Sequence, residues 1–188
     1  MSGLRQEKCV KWLNSQKIVA VQTETLRAAS SDASFRRYFR VDRSDGSGTL
    51  IVMDAPPPQE DVRPFISVTE KLIQAGVHAP EIFAQDETEG FLLLEDLGDV
   101  TMLEVLKNSP EKRESIYRKA MSVLVQIQAN AKTSGLNPYS REKLKQEMDL
   151  FDEWFVKHHF KTELSEQESG WLETIKNTLI DSALAEGQ

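Results

Sequence analysis

Apolar positions along this chain change period partway through, and the change divides it into a strand-rich front and a helical back. Leu4–Asn14, carrying Leu4, Val10, Trp12 and Leu13, reads as a short helix, and Thr23–Arg27 as a first strand. From Phe35 to Val41 the alternation has period two. Phe35, Phe39 and Val41 share one face, while Arg36, Tyr38 and Arg40 share the other. Asp42–Gly48 is rich in Asp, Ser and Gly and predicts a hairpin turn. Leu50–Met53 is a continuous apolar run of the kind a buried strand carries, and Ala55-Pro56-Pro57-Pro58 stops it, since proline cannot donate to a ladder. Phe65, Val68, Thr69, Leu72 and Ile73 fall on one helical face, closed by Gly76 and Pro80. Ile82–Gln85 and Phe91–Leu94 are the next strands.

Beyond Gly98 every pattern is helical. Thr101-x-x-Glu104 and Ser165-x-x-Glu168 are capping boxes, and Ser109-Pro110 places proline at a first turn. The helix after it presents Ile116, Ala120, Val123, Leu124, Ile127 and Ala131 on one face. A further helix carries Leu144, Met148, Phe151 and Phe155, and the last carries Leu172, Ile175 and Leu179. The expected fold class is therefore α+β: a mostly antiparallel sheet with one strong helix over residues 1–97, joined by a short connector to a helical portion over 98–188.

Composition narrows the partners. A net charge of -7 argues against a nucleic-acid backbone. The single cysteine, Cys9, excludes an internal disulfide framework and makes a cysteine zinc site untenable. No stretch has the apolar length of a membrane span, and Met1–Lys8 has no signal-peptide core, so the expectation is a cytoplasmic protein.

Three segments carry candidate chemistry. Ser30-Ser31-Asp32-Ala33-Ser34-Phe35-Arg36 is a loop of small residues able to turn backbone N–H groups toward phosphates, with Arg36 adding positive charge; an ordinary polar hairpin loop is the alternative. Glu95-Asp96-Leu97-Gly98 is a candidate connector whose backbone would meet a nucleobase; a solvated acidic strand end is its alternative. In Leu50–Asp54, Met53 stands where phosphoryl-transfer enzymes of this element order place a lysine. With no lysine there, Glu70 has no basic partner on that strand and reads as a surface charge. Glu147, Asp149, Asp152 and Glu153 form an acidic cluster in which Asp149 and Glu153 lie four apart on one helix face; a solvated acidic face is the plain reading and a substrate-binding face the alternative.

Taken in order, Ser31–Arg40, Leu50–Pro57 and Gly90–Gly98 resemble the aminoglycoside phosphotransferase family. Within it they are similar to the bacterial cell-wall-sugar branch, the N-acetylmuramate/N-acetylglucosamine anomeric kinases, as is Glu147–Phe155. That branch tends to carry methionine at the Met53 position. The resemblance implies a protein-kinase-like fold with a complete N-lobe and a partial helical C-lobe. It also implies ATP, Mg²⁺ and a small amino sugar phosphorylated at its anomeric hydroxyl during peptidoglycan recycling. It makes Ser31, Asp32, Ala33, Ser34, Phe35, Arg36, Met53, Glu95, Asp96 and Leu97 the nucleotide-binding set, and Asp149 and Glu153 the substrate-binding set. Aminoglycoside, choline or homoserine kinases, or a non-catalytic nucleotide-binding module, are the alternatives. None of His78, His158 and His159 opens the His-x-Asp-x-x-x-x-Asn segment of such kinases. The expectation is a chain that stops before the catalytic loop, without catalytic Asp or metal ligands, and is inactive alone.

Overall fold

In the computed structural model, which describes residues 3–31 and 35–185, strands and helices follow the expected order. Helix α1 (Gly3–Ser15) leads into β1 (Val21–Ser31), β2 (Arg37–Arg43) and β3 (Thr49–Asp54). Helix α2 (Arg63–Gln74) then connects to the β4 (Ile82–Asp86) and β5 (Phe91–Glu95) hairpin. The five strands form one antiparallel sheet in the order β1-β2-β3-β5-β4. The fold class is α+β.

The two apolar runs are central strands because both faces of the sheet are covered. On one face Val41, Leu50, Val52, Phe91 and Leu93 pack with Cys9 and Leu13 of α1. Trp12 stacks on Phe91 there, with ring centroids 5.4 Å apart. On the other face Met53, Leu92 and Leu94 pack with Val62, Phe65 and Ile66 at and within α2. A strand buried on both sides reads as a continuous apolar run rather than an alternation.

Charge fastens α1 to the sheet. Asp54, with no exposed surface, accepts from Arg5 Nε at 2.9 Å and Arg37 Nη2 at 2.6 Å. The Arg5 guanidinium also lies 4.0 Å from the Phe91 ring centroid. Gly90 closes the β4–β5 turn with φ +71°, and its carbonyl accepts from Ala55 N at 2.8 Å. A side chain at that position would collide with the Ala55 carbonyl.

The chain falls into two compact units, Met1–Lys132 and Thr133–Gln188, so the next two helices group with the sheet. Helix α3 (Met102–Asn108) begins with the expected reciprocal cap. Thr101 Oγ1 accepts from Glu104 N at 3.2 Å, and Glu104 Oε2 accepts from Thr101 N at 3.1 Å. Helix α4 (Arg113–Asn130) follows a short 3₁₀ turn, and Gln126 Nε2 donates to the Ala75 and Gly76 carbonyls at the end of α2. Of its expected apolar face, Val123 and Leu124 are exposed.

The second unit holds α5 (Arg141–Leu150), a π-helical segment (Phe151–His159) and α6 (Glu166–Ala185). The sequence pattern anticipates one helix through Phe155. Instead the winding widens at Phe151, and Phe160 N donates to the Phe155 carbonyl five residues back at 3.0 Å. Rings four apart meet along the segment, Phe151 tilted against Phe155 at 5.2 Å and Trp154 stacked on His158 at 5.0 Å. The Ser165–Glu168 cap is formed: Glu168 Oε2 accepts from Ser165 N at 2.9 Å and Ser165 Oγ accepts from Glu168 N at 3.3 Å. Trp154 and Trp171 are both largely exposed.

Candidate nucleotide site

A cavity of about 390 Å³ opens on the α2 side of the sheet, where β5 gives way to the connector. Its wall is the even-numbered face of β2, with Tyr38 and Arg40, beside Ile51 of β3 and Leu94 of β5. Phe65 of α2 and Ala29 of β1 add apolar surface, and Glu95–Asp99 form the rim. Apolar walls with a few polar groups along one edge are the ordinary lining of a small-molecule site.

The rim is held by ion pairs. Asp96 accepts from Arg40 Nε at 2.5 Å, Thr49 Oγ1 at 2.5 Å and Gly98 N at 2.9 Å. Arg40 Nη1 reaches Asp99 at 2.7 Å. The Arg40 hydrogen bond, with help from Thr49 and the Gly98 N–H, outweighs burial and brings the Asp96 carboxyl down to about 2. The two carboxylates push the Arg40 guanidinium pKa upward, so both partners stay charged across the working pH range. Gly98 turns the chain with φ +83°, a conformation that side chains with a Cβ rarely adopt. Glu95 points away from this pair. It accepts from His78 Nε2 at 2.8 Å and Glu81 N at 3.2 Å, and those bonds, His78 first, lower its pKa.

Among the residues expected from sequence, Glu95, Asp96 and Leu97 thus come together at the rim. Met53 is fully enclosed, opposite Tyr38 and Leu92 in the ladder, and packs in the α2-side core rather than on the cavity wall. Ser31 ends β1, paired with Arg37. Asp32, Ala33 and Ser34 lie outside the described residues. Phe35 is 66% exposed. Arg36 Nε donates to Glu60 at 2.9 Å. Glu70 is exposed, in line with a surface charge.

Asp149 and Glu153 belong to the second unit. Asp149 Oδ1 accepts from Lys176 at 2.8 Å and Lys145 at 3.1 Å, which lowers its pKa. Lys176, itself buried, also holds Asp152 at 2.6 Å. Glu153 is paired with Lys157 at 3.0 Å and His158 at 3.3 Å. Among the described residues no group of three or more His, Cys, Asp or Glu is placed to hold a metal ion. No described helix is long and apolar enough to cross a membrane.

Sequence reasoning missed Tyr38, Arg40, Ile51 and Phe65 as cavity residues. The period-two alternation of β2 was the available signal, because it already placed Tyr38 and Arg40 on one face.

A five-stranded antiparallel sheet with a helix on its cavity side and a glycine-ended connector at the cavity rim is the N-lobe of a protein-kinase-like fold. The chain belongs to the phosphotransferase enzyme family (APH), which matches it over residues 25–187. It is 45% identical over 156 residues to an N-acetylmuramate/N-acetylglucosamine kinase of Pseudomonas aeruginosa, covering 83% of this chain and 45% of that protein. The Pseudomonas putida protein of the same name is 40% identical over 167 residues, covering 88% of this chain and 48% of its own length. One from Neisseria meningitidis is 35% identical over 185 residues, covering 97% and 54%. The chain therefore spans about half the length of the curated relatives it matches.

Proposed function

We propose that this chain is the nucleotide-binding part of an ATP-dependent amino-sugar kinase, whose whole protein phosphorylates the anomeric hydroxyl of N-acetylmuramate or N-acetylglucosamine. The observation that carries the reading is the cavity under the connector, in a chain whose relatives are named as kinases of those two sugars. Adenine would lie between Ile51, Leu94 and Tyr38, with the backbone of Glu95 and Leu97 pairing with its edge. The functional division then falls in the connector, with the N-lobe ending near Leu97 and the helical portion beginning at Gly98.

Arg40 and Asp96 contribute by fixing the connector's course, so that its backbone groups are set before the nucleotide arrives. The remaining nucleotide contacts come from Ser31–Arg36, the segment between β1 and β2. Asp149 and Glu153 are the candidate sugar ligands, with their present ion pairs as competitors for that role. Mg²⁺ would neutralise phosphate charge in such a reaction. No group of three or more His, Cys, Asp or Glu placed to hold a metal ion occurs among the described residues. The sequence contains no His-x-Asp-x-x-x-x-Asn segment, and this chain alone is expected to bind nucleotide without turnover. A cytoplasmic location fits a kinase that uses ATP.

The test is a phosphorylation assay on the gene product that contains this chain, with ATP and each candidate acceptor. Expected is ADP formation that depends on N-acetylmuramate or N-acetylglucosamine, with an acid-labile anomeric phosphate as product. Turnover with an aminoglycoside, choline or homoserine in place of the two sugars would redirect the substrate assignment.

A further inference from the structure

Nucleotide phosphates in a cleft of this kind need a cation, and β3 supplies none. Its residues Thr49–Asp54 include no Lys or Arg, and Met53 is sealed in the core. The basic groups nearby sit on β2 and just before it. Arg37 faces the α1 side, where Asp54 holds it. Arg40 is held by Asp96 and Asp99 at the connector end. Arg36 lies on the same face as Tyr38 and Arg40 and next to the segment between β1 and β2, and like Arg37 and Arg40 it is held by a carboxylate. Four residues of extended chain set it roughly 13 Å from Arg40, toward the phosphate end of a nucleotide whose base lies at the connector. Against the lowering effect of burial, Glu60 and, less strongly, the cavity-lining Tyr38 raise the Arg36 guanidinium pKa.

Arg36 is not idle. Its Nε meets Glu60 at 2.9 Å, and the two side chains are only 28% and 13% exposed. Glu60 stands on the short segment between β3 and α2, on the α2 side of the sheet. A carboxylate offers a guanidinium the same paired oxygens that a phosphate does. On the nucleotide reading given above, we propose that Arg36 is the phosphate cation that β3 lacks. Glu60 is its built-in counter-anion, holding the guanidinium in place until phosphate displaces it.

The proposal is tested by calorimetric titration of this chain with adenosine and with ADP, without metal. Wild type, Glu60→Gln, Arg36→Gln, Arg36→Lys and the Arg36→Gln/Glu60→Gln double variant are compared. Glu60→Gln removes the competing anion and is expected to tighten ADP binding about three- to tenfold, leaving adenosine unchanged. Arg36→Gln weakens ADP about tenfold with adenosine unchanged, and Arg36→Lys recovers part of the loss. The gain from Glu60→Gln disappears in the double variant. If Arg36→Gln fails to fold, as judged by its thermal melt, Glu60→Gln and Arg36→Lys decide alone. Adenosine binding with an ADP affinity that Glu60→Gln leaves unchanged overturns the proposal and spares the nucleotide reading. A gain that persists without Arg36 also overturns it. Absence of both adenosine and ADP binding sinks the nucleotide reading, and the proposal with it.

Discussion

Replacing Asp96 with asparagine keeps an acceptor oxygen for Thr49 or the Gly98 N–H but removes the charge opposite Arg40. The Asp96 side chain is only 7% exposed, and its carboxyl is brought down to about 2 from an ordinary 3.8. That depression makes the charged form worth about 2 kcal/mol to the folded state at pH 7. The sign follows from the direction. A carboxyl whose folded pKa lies below its unfolded value stabilises fully above about pH 4, and that contribution fades as pH falls through about 2. By pH 3 roughly half is left, so the penalty of Asp96→Asn shrinks to about 1 kcal/mol. Over the 132 residues of the first unit, the pH 7 loss corresponds to a melting shift of about 7 °C. Trp12 stacks on Phe91 inside that unit, so urea unfolding followed by Trp12 fluorescence reports it. A background with Trp154 and Trp171 changed to phenylalanine leaves Trp12 as the sole tryptophan of the three. An equal penalty at pH 7 and pH 3, or none at pH 7, would refute the electrostatic account of the connector.

Asp54→Ala leaves Arg5 and Arg37 facing a buried gap, and should cost the first unit about 3 kcal/mol in the same urea assay; a loss below about 1 kcal/mol would show that α1 is held by packing alone. Gly90→Ala drives a methyl into the Ala55 carbonyl at a positive φ, and a loss of at least about 2 kcal/mol is expected, whereas a neutral variant would contradict the turn geometry. Burial, followed by the nearby Asp54 charge, pushes the Cys9 thiol up to about 12. Iodoacetamide at pH 8 should therefore alkylate it at least about a hundredfold more slowly than a free thiol, and comparable rates would mean that α1 opens readily.

The sheet's centre was legible because β3 and β5 are buried on both faces and their sequences say so without interruption. Helix α2 was legible from its stripe, and the caps of α3 and α6 from paired residues that meet as their spacing requires. The edge was harder. Strand β1 runs Val21–Ser31, longer than Thr23–Arg27, and carries two register irregularities against β2, so its half-buried side chains keep no clean period. Strand β2 starts at Arg37 rather than Phe35, since Phe35 faces solvent and makes no ladder pair. Leu4 looked like a packing residue of α1, but Cys9 and Leu13 are the ones the sheet covers. The widened winding from Phe151 had no signal in a pattern that α and π turns share over a few residues. In the site, the connector announced itself through Glu95–Gly98. The bond from Arg40 to Asp96 joins residues 56 apart, and residue spacing gives no notice of such a pairing. The Arg36–Glu60 contact was hidden for the same reason.

On the proposed function, the cavity under the connector receives the base of ATP. The direct measurement is an amide ¹H–¹⁵N correlation spectrum of this chain titrated with ATP. Saturable shifts concentrated at Leu94–Gly98, Tyr38 and Ile51 are expected, with adenosine reproducing those at the connector. Saturable shifts that leave the connector untouched, or no saturable shift at all, would contradict it.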